Sequence, residues 1–199
     1  EIKKPKTFIR ILEEAAKVAI RQKKFLLFSS KPTYVETGYG YIKSGQILND
    51  TRDEIHVSEI KHFIEKPSFS EADACIKAGY QWNSGIFLLP AKQFLSELGD
   101  YAPDIFNSCK ATLAKSAEQK ENGYSWVNLD KETFSSCPVD SIDYAVMEKT
   151  KNSAVVKTNI GWYDVGSWQT FYEVSPKDSD GNILSGEVIS INSKNSHIY

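Results

Sequence analysis

The sequence opens with an amphipathic helical pattern that leads directly into a short, fully apolar segment. Apolar residues from Phe8 to Ala19 recur at helical spacing, and basic residues cluster where this pattern ends. The run Phe25–Phe28 follows at once, and a strand that is apolar at every position is typical of one covered on both faces. Because helical and strand-like segments keep alternating further along the chain, we predict an α/β fold with a mainly parallel sheet.

The composition narrows the classes of protein to which the chain can belong. Of its 199 residues 41% are hydrophobic, which is enough for a sizeable core. Lysine and arginine (24) nearly balance aspartate and glutamate (26), so the net charge is −2 and the large positive excess of a nucleic-acid-binding protein is not seen. The longest apolar runs have four residues, whereas a membrane span needs about 20. We therefore expect neither nucleic-acid nor membrane partners.

The cysteines give no sign of a disulfide framework or a zinc site. Cys75, Cys109 and Cys137 lie far apart, and no CxxC pair is present. The three histidines also lack the spacing of a helical metal-binding pair. Reduced thiols in a cytoplasmic protein are the simplest interpretation.

Several segments have a predicted structure that bears on the site. We expect a surface loop at the polar stretch 118–123 and turn chemistry after Pro176, where the chain leaves the main sheet. The remaining predictions are a helix near 6–23, a glycine-punctuated strand at 37–42, a strand at 56–66 and a helix at 142–149.

The segment Thr37–Tyr41 contains two glycines in a predicted strand. Such a strand is tolerated where a ligand or another backbone approaches closely, but for the segment taken alone a bulge or a bend is the simpler explanation.

Glu65 and Lys66 stand at a predicted strand end, followed by Pro67. Neighbouring strand residues point to opposite faces, so we do not expect a simple mutual ion pair, and the proline favours an extended backbone at Lys66. A carboxylate can accept sugar hydroxyls and an ammonium can hold a phosphate, but a solvated strand end has the same sequence.

Asn83 and Asp164 are the other candidates for ligand contacts. Asn83, within Trp82–Gly85, carries amide donors and an acceptor suited to a hydroxyl-rich ligand, or it forms an Asx turn. Asp164, at a predicted strand end within Trp162–Trp168, can hold Mg²⁺ that bridges phosphates, or it caps the next helix.

Each motif alone is weak, but their order and spacing closely resemble the mannose-1-phosphate guanylyltransferases (GDP-mannose pyrophosphorylases) of the bacterial type, within the sugar nucleotidyltransferase family. The resemblance covers about residues 7 to 199. The segments that carry it are Glu36–Ile42, Phe63–Pro67, Trp82–Phe87, Ser141–Thr150 and Trp162–Trp168.

The resemblance implies a reaction and a set of residue roles. GMP would pass from GTP to mannose 1-phosphate with release of pyrophosphate, supplying GDP-mannose for polysaccharide biosynthesis. Gly40 would approach the sugar with its backbone, Glu65 would accept sugar hydroxyls and Asn83 would contact the hexose. Lys66 would hold the sugar phosphate and Asp164 would bind Mg²⁺, which makes these two the expected catalytic residues.

The resemblance also implies a fold and a domain organisation. The expected fold is a Rossmann-like, mixed, mainly parallel sheet of the nucleotide-diphospho-sugar transferase type. Ser141–Thr150 is expected to pack behind the site, and a contributing side chain from this segment is left open. The family's glycine-rich nucleotide-binding loop is not found in these residues, so we expect the N-terminal nucleotide-binding part to be missing. Residues 1–176 would then be the sugar-phosphate-binding portion of the domain, and 177–199 the start of a β extension or linker.

The resemblance leaves alternatives open. A homodimer is consistent with it, and the 199-residue segment alone is expected to be inactive. The chain could instead belong to another sugar-1-phosphate nucleotidyltransferase, or to a non-catalytic homologue that binds sugar phosphate and regulates a partner. Composition alone supports only an α/β binding module.

Overall fold

Helices and strands alternate along the chain in a computed structural model that describes residues 1–48 and 55–199. None of the helices described there is both long and apolar enough to cross a membrane. The helices are α1 (Pro5–Gln22), α2 (Phe69–Lys77), α3 (Ala91–Tyr101), α4 (Pro103–Lys115), α5 (Lys131–Ser135) and α6 (Trp168–Val174), with a π-helical turn at Asp143–Met147. The strands are β1 (Phe25–Ser30), β2 (Tyr41–Ile47), β3 (Val57–Ile64), β4 (Gln81–Leu88), β5 (Ala117–Glu121), β6 (Tyr124–Asn128), β7 (Ser153–Thr158), β8 (Ile183–Leu184) and β9 (His197–Ile198).

The described residues form two compact units. The larger is Ile9–Thr158, and the smaller combines Glu1–Phe8 with Asn159–Tyr199. The domain boundary that we expect between residues 176 and 177 concerns the whole protein. These two compact units do not test it, so it stays a prediction.

The main sheet lies in the larger unit. Its strands hydrogen-bond in the order β1, β4, β2, β3, β7, and β7 returns to β1 so that the sheet closes on itself. The prediction of an α/β fold with a mixed sheet is confirmed. The prediction of mainly parallel pairing is wrong for the described strands, because β1–β7 is the parallel pair of this sheet and its other pairings are antiparallel. A continuous apolar run indicates that both faces of a strand are buried. It does not indicate whether the neighbouring strands are parallel or antiparallel.

Strand β1 forms the centre of the core. Phe25, Leu26, Leu27 and Phe28 are all completely buried, as the continuous apolar run predicts. On one side, Phe25 and Leu27 pack with Ile42, Val155 and the buried part of the π-helical turn, Ala145, Val146 and Met147. The core thus fixes the π-helical turn against the sheet.

The predicted loop at 118–123 is wrong, because these residues begin a two-stranded hairpin. Strands β5 and β6 pair from Ala117 opposite Asn128 to Glu121 opposite Tyr124. Asn122 and Gly123 form the turn with φ of 51° and 80°, the left-handed values that a tight hairpin turn requires. Polar composition concealed the hairpin because all its residues are exposed, so no apolar alternation marks it.

The smaller unit is held together by short backbone contacts. The Lys3 amide donates to the Gly161 carbonyl, and the Lys4 amide donates to the Ile160 carbonyl, both at 3.0 Å. Gly161 has φ of 63°, and a Cβ there would lie 2.8 Å from the Lys3 Cβ, so this position requires glycine. Helix α6 begins at a capping residue, Ser167, whose Oγ accepts from the Thr170 amide at 3.1 Å.

We predict that Leu27→Ala lowers the free energy of unfolding by about 2–5 kcal/mol, because it opens a cavity beside a completely buried strand. Urea denaturation followed by circular dichroism measures the change. Leu113→Ala is the matched control: Leu113 is 61% exposed, so the same substitution should cost less than about 1 kcal/mol. Equal losses in the two variants would contradict the assignment of β1 to the core.

Candidate functional site

The chain turns sharply at Glu65 and Lys66, immediately after β3. Lys66 has φ of 48°, so the extended backbone expected from the following proline is wrong at this position. The left-handed turn brings the Lys66 Nζ to 3.8 Å from the Glu65 Oε1, although alternating strand residues would point apart. A non-glycine residue with positive φ before a proline stores backbone strain, a feature that often marks functional sites.

Gly40 lies directly before β2, outside the strand, so the prediction of glycines within a strand is wrong. A Cβ at Gly40 would collide with the Glu65 Oε2, and it would lie 3.1 Å from the Asn83 Cβ and 3.3 Å from the Phe63 Cζ. The glycine is therefore needed for the close approach of the Glu65 carboxyl group to the backbone.

Asn83 is buried in β4 at an irregularity in the sheet. The register of the β1–β4 pair shifts between Leu27 and Ser29, which is typical of a bulge that re-aims nearby side chains. The Asn83 backbone amide donates to the Gly40 carbonyl at 2.7 Å. Its Oδ1 accepts from the Gly85 amide at 3.2 Å, as an Asx turn would, and its Nδ2 donates to the Asp143 Oδ1 at 2.9 Å.

Asp143 also contacts this site, although it is not one of the residues that we predicted individually from the sequence. It begins the π-helical turn within Ser141–Thr150, a segment that we expected to pack behind the site. Single π-helical turns occur frequently at functional sites, but the sequence pattern around Asp143 reads as ordinary helix. Its contact with Asn83, 60 residues away, could not be read from local spacing.

The electrostatics of the site are dominated by buried carboxyl groups. Burial raises the pKa of Glu65 to about 7; the negative charges of Asp143 and Glu148 add to the rise, and Lys66 partly offsets it. Burial also raises the pKa of Asp143, against the lowering effects of its hydrogen bond from Asn83 and the charge of Lys66. The Glu65 carboxyl is thus partly protonated near neutral pH, so it can donate as well as accept a hydrogen bond.

One atom of the site lacks the partner that its burial requires. The Glu65 side chain is only 8% exposed, and its Oε2 has no hydrogen-bond partner among the residues that the structure describes. A buried polar atom without a partner is costly, and such exceptions in folded proteins call for an explanation. A cleft of about 460 Å³ has walls that include Glu65, His62 and Glu148.

The predicted site residues fall into two groups. Gly40, Glu65, Lys66 and Asn83 lie together in the larger unit, as the contacts above show, and Asp164 belongs to the smaller one.

Asp164 is exposed, and within residues 1–48 and 55–199 its carboxylate has no hydrogen-bond or ion-pair partner. The alternative that Asp164 caps α6 is wrong, because Ser167 is the cap. No group of three or more metal-binding side chains occurs in the described part of the chain. Mg²⁺ often binds through one carboxylate together with substrate phosphates and waters, so the free Asp164 carboxylate fits that ion without a protein cage.

Comparison with known proteins gives consistent matches. A family model described as Nucleotidyl transferase matches residues 7–181. The chain is 41% identical to a mannose-1-phosphate guanylyltransferase of Escherichia coli, over all of this chain and 42% of that protein. It is 43% identical to the alginate biosynthesis protein AlgA of Pseudomonas fluorescens, over 92% of this chain and 37% of that one.

The solved structures support the fold. A mannose-6-phosphate isomerase from Helicobacter pylori superposes with a TM-score of 0.72 and 27% identity, over 82% of this chain and 60% of that one. The chain spans about two fifths of the length of the curated relatives described above.

We predict that Gly40→Ala destabilises the protein by about 1–3 kcal/mol, because the new methyl group must displace the Glu65 carboxyl and press on the Asn83 Cβ. Gly99→Ala, in α3, is the control. Its Cβ would lie 3.7 Å from the nearest Phe106 atom, an ordinary contact, so stability should rise by about 0.5–1 kcal/mol. Urea denaturation compares the two, and a stable Gly40→Ala variant would show that the close approach is not needed.

We predict that Glu65 makes the protein less stable as pH rises. Its folded-state pKa of about 7 lies above the ordinary 4.5, so the folded state keeps a proton that the unfolded chain has lost. This contribution is fully present below about pH 4.5 and is lost as pH rises through about 7. Between about pH 5 and about pH 8, the wild type should lose about 1–3 kcal/mol more stability than Glu65→Gln. Glu118→Gln, on the exposed hairpin, should follow the wild type.

Proposed function

Because the chain belongs to the nucleotidyl transferase family, we propose that it is part of an enzyme that makes GDP-mannose and pyrophosphate from GTP and mannose 1-phosphate. The observation that carries the proposal is the buried Glu65 Oε2, which has no hydrogen-bond partner among the described residues. The same carboxyl group stands 3.8 Å from the Lys66 Nζ through its Oε1, and it shares the contact at Gly40 with Asn83. An acceptor, an amide and an ammonium in one place match the hydroxyls and the phosphate of a hexose phosphate.

The hexose end of the substrate is assigned to Glu65, Asn83 and the backbone at Gly40. A sugar hydroxyl would satisfy the Glu65 Oε2. The Asn83 Nδ2 makes one bond within residues 1–48 and 55–199, to Asp143, which leaves its second hydrogen for the sugar. Ligand sites typically combine a few fixed polar groups of this kind with a rigid frame.

Lys66 is assigned to the phosphate of the substrate. Its side chain is 55% exposed, so it can reach an incoming ligand, and an ammonium acts on phosphate as a compact positive charge. The attacking group is an oxygen of the sugar phosphate, which already carries negative charge, so the reaction needs no general base. This oxygen forms a bond to the α-phosphorus of GTP while the bond from that phosphorus to the bridging oxygen breaks, and pyrophosphate leaves. Catalysis then consists of positioning and charge neutralisation.

Asp164 is assigned to Mg²⁺. When bound, the ion would neutralise phosphate charge and orient the phosphates. The role proposed for the residue is to present one carboxylate, and the exposed Asp164, which has no partner among residues 1–48 and 55–199, supports it.

The finer organisation of the protein also belongs to this proposal. We assign residues 1–176 to the sugar-phosphate-binding portion of a Rossmann-like transferase domain, and 177–199 to a β extension or linker. The GTP-binding elements are not assigned to any of these residues. The three unpaired cysteines support a cytoplasmic location, and a homodimer is the expected assembly.

We predict that Lys66→Ala weakens binding of mannose 1-phosphate to the chain by about 10- to 100-fold, because a charge-assisted contact to the phosphate is lost. Binding of free mannose should change less than about threefold. Lys77→Ala removes an exposed lysine paired with Asp73 and should leave both affinities unchanged. Isothermal titration calorimetry measures each affinity. Equal affinities of wild type and Lys66→Ala for the sugar phosphate would contradict the assignment.

We predict that Asp164→Asn lowers pyrophosphate release by the whole protein at least about 100-fold, with Mg²⁺, GTP and mannose 1-phosphate supplied. Binding of the sugar phosphate without metal should stay within about threefold. Unchanged pyrophosphate release would refute the metal role of this residue. Parallel assays with other nucleotides and other sugar phosphates distinguish this enzyme from the alternative sugar-1-phosphate nucleotidyltransferases.

A further inference from the structure

We propose that Asp143 is a positioning residue for the hexose: its carboxylate locks the side-chain amide of Asn83 in the orientation that presents a free N–H to a sugar hydroxyl. This inference rests on the proposed function, and it deepens it by adding a residue that does not itself need to touch the substrate. The contact that carries it is the hydrogen bond from the Asn83 Nδ2 to the Asp143 Oδ1, 2.9 Å long.

The amide of Asn83 is held from both ends. Its Oδ1 accepts from the Gly85 backbone amide at 3.2 Å, while its Nδ2 donates to Asp143. If the amide rotated by half a turn, its oxygen would face the carboxylate and its NH₂ group would face another N–H, so both contacts would become repulsive. Asn83 is only 7% exposed, so water cannot easily compensate for a wrong orientation.

Asp143 is itself held rigidly enough to act as an anchor. The three residues after Tyr144 are buried in the core beneath β1 and β7, which fixes the π-helical turn. The Asp143 carbonyl accepts a hydrogen bond from the Glu148 amide at 2.9 Å. This bond fixes the backbone of Asp143, whose side chain contacts Asn83. A positioning group must stand on such a rigid element to hold its partner precisely.

Asp143 also acts on Glu65 through its charge. The charged groups that influence the Glu65 carboxyl are Asp143 and Glu148, which favour its protonated form, and Lys66, which opposes them. Asp143 is therefore linked to both hexose-binding side chains, to Asn83 by a hydrogen bond and to Glu65 by repulsion. The two links can be separated, because an asparagine at position 143 keeps an acceptor oxygen and removes the charge.

The test compares Asp143→Ala, Asp143→Asn and Glu148→Gln by titration calorimetry with mannose 1-phosphate and with inorganic phosphate. Asp143→Ala should weaken sugar-phosphate binding about tenfold or more and change phosphate binding less than about twofold, because only the amide loses its anchor. Asp143→Asn should bind the sugar phosphate within about threefold of wild type. The pH midpoint of its binding curve should move down, because the pKa of Glu65 falls. Glu148→Gln removes a charge that also raises the pKa of Glu65 but leaves the hydrogen bond to Asn83 in place. It should therefore move the pH midpoint down as Asp143→Asn does, and it should not reproduce the loss of sugar-phosphate binding expected for Asp143→Ala.

A measurement without ligand separates loss of the Asn83 anchor from loss of folding in Asp143→Ala. The side-chain NH₂ resonances of Asn83 in NMR spectra should show slow hydrogen exchange in wild type and in Asp143→Asn, and fast exchange in a folded Asp143→Ala. Sugar-phosphate binding by Asp143→Ala equal to wild type would overturn the positioning role, and so would an Asp143→Asn variant as weak as Asp143→Ala. A wild-type chain that binds no mannose 1-phosphate would overturn the proposed function first, and this inference with it.

Discussion

The arrangement of this site depends on one buried carboxyl group. The Glu65 side chain is almost completely buried, and the Lys66 ammonium, its ion-pair partner within the described part of the chain, stands 3.8 Å from Oε1 on a side chain that is more than half exposed. The surrounding backbone is adapted to this group: Gly40 has no side chain, and Lys66 adopts a left-handed conformation. Because burying a carboxyl group is costly, such an arrangement is expected where a ligand completes it.

Two irregular backbone features bring the partners of Glu65 together. The register shift between β1 and β4 occurs beside Asn83, and the π-helical turn begins at Asp143. In each case the backbone is irregular at or beside a residue whose polar side chain contributes to the site. The regular parts of the same elements, Leu27 and Val146 among them, are buried in the core and hold these departures in place.

The sequence was sufficient for regular elements such as β1 and α1, but not for the geometry of the site. The continuous apolar run at β1 and the helical periodicity of apolar residues in α1 are local signals, and the structure contains both predicted elements. The contact between Asn83 and Asp143 joins residues 60 positions apart, so no local pattern encodes it. At Lys66 the local rule for residues before proline gave the wrong conformation, because tertiary contacts impose a strained turn there.

The raised pKa of Glu65 has a consequence for the proposed substrate. A hexose phosphate brings negative charge to a site that already holds Asp143 and Glu148. Lys66 is the cation that acts on Glu65 there. A fully ionised Glu65 would add repulsion at the point where the phosphate must bind. With a pKa of about 7, Glu65 can keep its proton, serve hydroxyls as donor and acceptor, and leave the charge of Lys66 to the phosphate. By favouring the protonated form of Glu65, the acidic turn behind Asn83 reduces the repulsion that Glu65 itself would exert on the phosphate of the proposed substrate.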